Sequence, residues 1–250
     1  MTLVLDNLQK RFGGVLAVRG ASFAAEPGEI VGLVGPNGAG KTTIFNLITG
    51  VLTLDGGTVT LNGRDITHTK PHHAAQLGVG RTFQQTRIFH HLRVYENVVL
   101  ARPEVDASIW RALTVGRAER ARWREEAIGH LETLGIAGLA DAYGGDLSYA
   151  EQKLVMFVCL IAGGATVLLL DEPTAGLDPS SQNLMIDAVC NLRTPERAVI
   201  LIEHNLDVVR GCCDRIVFLA QGEVLASGTA ADVQADPKLR ELYFGAGVSA

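Results

Sequence analysis

Residues 35–43 read GPNGAGKTT, with glycines, a lysine and hydroxyls at the spacing that cradles the phosphates of a nucleotide. The segment follows an apolar run, IVGLV at 30–34, and opens a helix predicted over 41–49. That strand-to-helix context is what gives the pattern G-x-x-x-x-G-K-[ST] its mechanics. Gly35, Gly38 and Gly40 let the backbone curl so that successive N–H groups face one anion, and the helix N-terminus adds partial positive charge. Asn37, Ala39 and Thr43 complete the loop. Lys41 is expected to reach the β- and γ-phosphates and Thr42 to ligate Mg²⁺.

A second group of acids stands in VLLLDE at 167–172. Open α/β sheets place ligands at the carboxyl ends of their strands, so Asp171 is expected at the metal and Glu172 at a water in line with the terminal phosphate. A base positioned in that way is typically worth about 10²- to 10⁴-fold in rate. Alone, such an acid pair would read as a solvated strand end; the phosphate loop upstream changes that reading. His204 ends another apolar run, AVILIEH at 198–204, and is expected to touch the same phosphate. His68, His72, His73, His90 and His91 have no cysteine nearby and no H-E-x-x-H spacing, so they are expected to be surface residues rather than zinc ligands.

These groups require a frame. The first 30 residues alternate polar and apolar around Gly13-Gly14 and Glu26-Pro27-Gly28-Glu29, which predicts short antiparallel strands. GGTVTLNGRDI at 56–66 resumes the β pattern after the helix. From about 98 to 146, Trp110, Leu113, Trp123, Ile128, Leu131 and Leu134 punctuate an Arg/Glu-rich stretch, a predicted helical insert. VLLLD, AVILIEH and RIVFLAQG (215–222) then alternate with helices, which implies a parallel sheet covered on both faces. The expected class is α/β: a P-loop core of mixed or parallel sheet with flanking helices, an N-terminal antiparallel β subdomain and an inserted helical subdomain. Within one domain, 1–97 and 151–225 are expected to form the core and β subdomain, 98–150 the helical subdomain, and 226–250 a tail.

Composition narrows the function classes. A hydrophobic content of 47% over 250 residues excludes disorder, and a net charge of −5 disfavours a protein held to nucleic acid by phosphate neutralisation. Cys159, Cys190, Cys212 and Cys213 form no C-x-x-C pair, and the N-terminus lacks a basic flank with an apolar signal core, so a reducing, cytosolic setting is expected. Leu154 to Leu170 is uncharged, but Gly163-Gly164 interrupts it, so it reads as a buried helix followed by a buried strand. The cluster Arg117, Arg120, Arg122 and Arg124 reads as one solvated helix face.

In order along residues 3–245, the chain resembles the nucleotide-binding subunits of ATP-binding cassette (ABC) transporters. The resemblance rests on the aromatic of RFGG, GPNGAGKTT, Gln84 in RTFQQ, LSYAEQ at 147–152 in the place of the LSGGQ signature, LLLDEP, GLDP with Asp178, and IEH with His204. It implies an ATPase using ATP and Mg²⁺. It also implies head-to-tail pairing with a second ABC ATPase or another copy of the chain, each ATP lying between one subunit's phosphate loop and the other's signature helix. Phe12 would stack on adenine, a contact worth on the order of 1–3 kcal/mol by analogy with base stacking. Gln84 would join Thr42 and Asp171 at Mg²⁺, act in catalysis and pass the nucleotide state toward the membrane. Ser148 would serve the partner's γ-phosphate and Asp178 the dimer interface. Implied partners are integral membrane transporter subunits and, indirectly, a solute-binding protein, with no nucleic acid. The implied location is peripheral, on the cytoplasmic face of the inner membrane.

RTFQQTRIFHHLRVYENV, the long insert, IEHNLDVV and DPKLRELYFGAG are similar to ATP-binding subunits of branched-chain amino acid importers. Urea or amide importers share these features, and lipopolysaccharide-export ATPases share several. RTFQ and IEH favour the importer. A soluble ABC clamp on DNA or ribosomes would need coiled-coil insertions or a second cassette, and intact Glu172 and His204 argue against a subunit that only binds ATP. LSYAEQ departs from the family pattern: Tyr149 and Ala150 replace glycines, Glu151 replaces glutamine and Leu154 an arginine. Ser148 and Glu151 also have the S-x-x-E spacing of a capping box. A Glu151 that folds back would keep its charge off the partner's phosphate; one pointing across would weaken that site.

Overall fold

The computed structural model describes residues 2–82, 88–102 and 116–235. The alternating N-terminal segment forms β1 (Leu3–Phe12) and β2 (Val15–Ala25), joined by Gly13-Gly14 so that Phe12 lies opposite Val15. β4 (Gly56–Leu61) takes the other edge of β1, and β5 (Arg64–Asp65) follows through Asn62-Gly63, giving an antiparallel sheet of order β2-β1-β4-β5. Leu3, Leu5 and Leu8 on β1 are fully buried. The β-like piece at 56–66 is two strands, because Asn62 and Gly63 both adopt positive φ.

β3 (Ile30–Val34) is buried at every position, as a strand covered on both faces must be. It is central in a six-stranded sheet of order β10-β9-β3-β8-β7-β6. β6 (Val79–Arg81), β7 (Val167–Asp171), β8 (Ala198–Ile202) and β9 (Arg215–Ala220) run parallel in the ladder, and β10 (Glu223–Gly228) returns antiparallel on β9. The strand read over 215–222 ends at Ala220, where Gln221 and Gly222 turn with positive φ into β10. The sheet thus extends to Gly228, into the segment assigned to a tail. α1 (Lys41–Ile48) packs Ile44, Phe45, Leu47 and Ile48 into the same core as Val31, Leu169 and Ile200, which also takes in Ala74 of α2 (Pro71–Gln76).

The chain divides into two compact units, Met1–Arg81 with Thr166–Glu172 and Leu192–Ala250, and Thr82–Ala165 with Pro173–Asn191. The second unit is wider than the helical subdomain expected over 98–150. Among its described residues are α3 (Val94–Leu100), α4 (Arg117–Glu132), α5 (Tyr149–Ala162) and α6 (Pro179–Asn191). α3 packs on α4 and α5, and α5 on α6. The uncharged run from Leu154 is the buried face of α5 as far as Ala162, then a turn at Gly163-Gly164, then β7. Among the described residues no helix is long and apolar enough to cross a membrane.

Candidate functional site

The phosphate loop sits where β3 hands over to α1. Gly40 is the N-cap of α1 with φ +104, and a Cβ there would lie 2.7 Å from the Ala17 carbonyl oxygen. At Gly35 a Cβ would stand 1.9 Å from the Leu219 carbonyl oxygen on β9. Neither position has room for a side chain, so strand packing itself dictates the glycines. Asn37, Gly38, Ala39, Gly40, Lys41, Thr42 and Thr43 line a pocket of about 190 Å³ that also takes in Ala17, Glu172 and His204. Within it, Lys41 is buried, and its Nζ donates to the carbonyls of Gly35 at 2.6 Å and Pro36 at 3.0 Å. Burial pushes the pKa of Lys41 below the ordinary lysine value, and the nearby carboxylates of Glu172 and Asp171 oppose that shift without cancelling it.

β7 delivers the acids. Asp171 ends the strand, buried, with Oδ2 accepting from Arg81 at 2.9 Å. Glu172 follows with φ +49, an unusual conformation for a side chain of this size, held by its N–H donating to the Ile202 carbonyl at 2.9 Å. His204, two residues beyond the end of β8, approaches Glu172 Oε1 with Nε2 at 2.9 Å. Neighbouring parallel strands thus end in an acid and an imidazole that meet at the mouth of the phosphate loop. Phe12, at the end of β1, is exposed, with Lys10 Nζ 5.7 Å from its ring centroid, and does not line this pocket. Gln84 lies outside the described residues.

The helical unit holds Ser148 and Asp178. Ser148 caps α5: Glu151 N–H donates to Ser148 Oγ at 3.3 Å, while Glu151 Oε2 accepts from both the N–H and the hydroxyl of Ser148 at 2.7 Å. The glutamate is therefore folded back onto its own helix start. Ala150 is buried, so its methyl belongs to the core of the unit. One turn on, buried Lys153 donates from Nζ to the carbonyls of Pro173 and Ala175, each at 2.8 Å, and stands 4.7 Å from the Tyr149 ring. That lysine ties the signature helix to the loop leading to Asp178. Asp178 in turn caps α6, accepting from Ser180 and Ser181, whose hydroxyls hold its carboxyl well below the usual carboxylate range. Lys153→Met is expected to cost about 1–3 kcal/mol, since the buried Pro173 carbonyl and the Ala175 carbonyl lose a charged donor; a urea melt of the whole chain would register it as a lower midpoint at unchanged slope.

Residues 18–175 match the family model described as ABC transporter. The chain belongs to the ABC transporter family. It is 35% identical over 249 residues to the high-affinity branched-chain amino acid transport ATP-binding protein LivG of Salmonella typhimurium, covering 97% of each chain. It is 34% identical to BraF of Pseudomonas aeruginosa, described in the same words, again over 97% of both chains. The lipopolysaccharide export system ATP-binding protein LptB of Haemophilus influenzae is 33% identical over 243 residues, with 97% of each chain covered. Among solved structures, the ADP conformation of an ATP-binding cassette of an ABC transporter superposes with a TM-score of 0.84 at 30% identity, over 98% of this chain and 99% of that one.

As an ABC subunit the chain is an ATPase that drives transport, and its two-sheet core with a helical unit is the cassette fold. Sequence reasoning missed the roles of three residues. Ala17 lines the pocket from β2, yet nothing in its type announces that. Arg81 was visible inside RTFQQ but not as the partner of Asp171. Lys153 follows the signature directly, though its reach to Pro173 and Ala175 depends on how α5 packs.

Proposed function

We propose that this chain is the ATP-hydrolysing subunit of an importer for branched-chain amino acids or a related small solute, acting through ATP-driven head-to-tail pairing of two cassettes. The observation that carries the ATPase half is the meeting of Glu172 and His204 at 2.9 Å beside a pocket lined by residues 37–43. The full-length likeness to LivG and BraF supports the importer half.

In this reading the N–H groups of the loop and the α1 N-terminus hold the phosphates, and Lys41 exchanges its two loop carbonyls for phosphate oxygens. Thr42, exposed at the pocket, and Asp171 supply hard oxygen donors, which fits a Mg²⁺ that keeps most of its shell from phosphate and water. Mg²⁺, when bound, neutralises charge developing on the transferred phosphoryl group. Glu172 takes the proton of the attacking water, and His204 holds Glu172 in place and meets the γ-phosphate. Phe12 stacks on the adenine, Gln84 senses the metal, and Ser148 and Asp178 act on the partner's nucleotide and interface. Membrane subunits and a second cassette are the partners, at the cytoplasmic face of the membrane.

The fold-back of Glu151 keeps its charge on Ser148 and also occupies the hydroxyl that the partner's phosphate would need. We therefore infer an unequal pair, in which this chain's own loop forms the competent site with the signature of a different ATPase. Glu151→Gln can still cap Ser148 while removing a like charge, so hydrolysis at the partner's loop is expected to rise by roughly 2- to 10-fold. Turnover of the complex carrying Glu151→Gln, compared with that of the parent complex, reads the change. Vigorous turnover by this chain as a pure homodimer would contradict the unequal pair. The importer reading is tested by ATPase activity of the complex in lipid with its solute-binding protein: stimulation by leucine or valine is expected, and stimulation by lipopolysaccharide instead would overturn it.

A further inference from the structure

Arg81 is a buried charge to which the reaction as described assigns no role. It closes β6, pairing in register with Leu169 of β7, and its side chain is 7% exposed against 2% for that of Asp171. One terminal nitrogen donates to Asp171 Oδ2 at 2.9 Å; the other donates to Asn46 Oδ1 at 2.6 Å. The guanidinium carbon lies 5.4 Å from the centroid of the Phe45 ring. Asn46 and Phe45 belong to α1, the helix that begins with Lys41 and Thr42. A single planar fork therefore connects the acid at the end of β7 to the helix that carries the phosphate loop.

Burying a carboxylate without a counter-charge is strongly unfavourable, whereas an ion pair with no other task could give way to apolar residues at little or no cost in stability. Here the carboxylate is kept immediately before Glu172. We propose that Arg81 is a positioning residue that serves as the counter-ion of Asp171 while no divalent cation is bound, and that Mg²⁺ arriving with nucleotide takes over that charge. The inference rests on the reading of Asp171 as a Mg²⁺ ligand. Because arginine and cation compete for one carboxylate, Arg81 lowers the affinity for Mg²⁺ and makes its retention depend on the phosphates. The charge carries this role, and the fork fixes its position by holding Asp171 and Asn46 along two directions at once.

The test is a Mg²⁺ titration of ADP binding to the full chain by calorimetry, alongside thermal melts with and without Mg²⁺. Arg81→Met is expected to bind Mg²⁺ with ADP at least about tenfold more tightly than the parent, since a positive charge has been removed beside the ligand. Its melting temperature, lowered without the cation, should be raised by Mg²⁺–ADP more than that of the parent. Arg81→Lys retains the charge and is expected to shift Mg²⁺ affinity by less than about threefold. Asp171→Asn separates the two ideas: if it leaves the Mg²⁺ dependence intact, Asp171 is not a ligand and the underlying reading fails. If Asp171→Asn abolishes that dependence while Arg81→Met binds Mg²⁺ as the parent does, the counter-ion role alone is overturned. Should Arg81→Met fail to fold, Asn46→Ala loosens the guanidinium without removing its charge; Mg²⁺ affinity is then expected to rise at least about twofold, and no change would overturn the proposal.

Discussion

Glu172→Gln is expected to lower ATP turnover by about 10²- to 10⁴-fold, the range for losing a positioned general base, while ATP still binds. The amide preserves size and can still meet His204 Nε2, so the φ of +49 at residue 172 and the bond from its N–H to Ile202 should persist. What disappears is the capacity to accept a proton from water. ATP should therefore accumulate uncleaved between paired cassettes, and the ATP-bound pair should become long-lived on size exclusion with light scattering. Unchanged hydrolysis would remove Glu172 as the base. A variant that loses nucleotide binding as well would point instead to collapse of the strained turn.

Lys41→Met is expected to weaken ATP binding by roughly 10- to 150-fold, the equivalent of a lost hydrogen bond to a charged group. Its effect on the nucleotide-free protein runs the other way. Burial holds the pKa of Lys41 below its ordinary value, so between the folded and unfolded pKa the unfolded chain binds more protons than the folded one. Stability from this group must then rise as pH increases through that interval toward the ordinary lysine range. Melts of the nucleotide-free protein across alkaline pH should show this rise in the parent and its absence in Lys41→Met. A parent whose stability shows no such difference from the variant would mean that the ammonium is better solvated than its two carbonyl contacts suggest.

The loop, the acids and the histidine were legible because each is a local pattern fixed by strand ends: GPNGAGKTT after IVGLV, DE after VLLL, and H soon after AVILI. The meeting of the loop, Glu172 and His204 in one pocket follows from a parallel sheet in which β3, β8 and β7 are neighbours. Strand limits were less legible, since Gln221-Gly222 and Asn62-Gly63 turn the chain inside runs that keep a β-like composition. Whether Glu151 caps or points across was undecidable from spacing, because S-x-x-E permits both; the fold-back at 2.7 Å is a matter of rotamer. Arg81 and Lys153 were hidden for a different reason. Their partners lie 90 and about 20 residues away, at Asp171 and at the Pro173 and Ala175 carbonyls, and long-range pairing of this kind leaves no periodic trace.

The most direct test is to tag this chain, extract host membranes in mild detergent, purify what it holds and identify every subunit by mass spectrometry. Recovery with two membrane-spanning proteins and a second ATPase is the predicted result. Recovery as a soluble self-dimer, or with nucleic-acid-binding proteins, would contradict it.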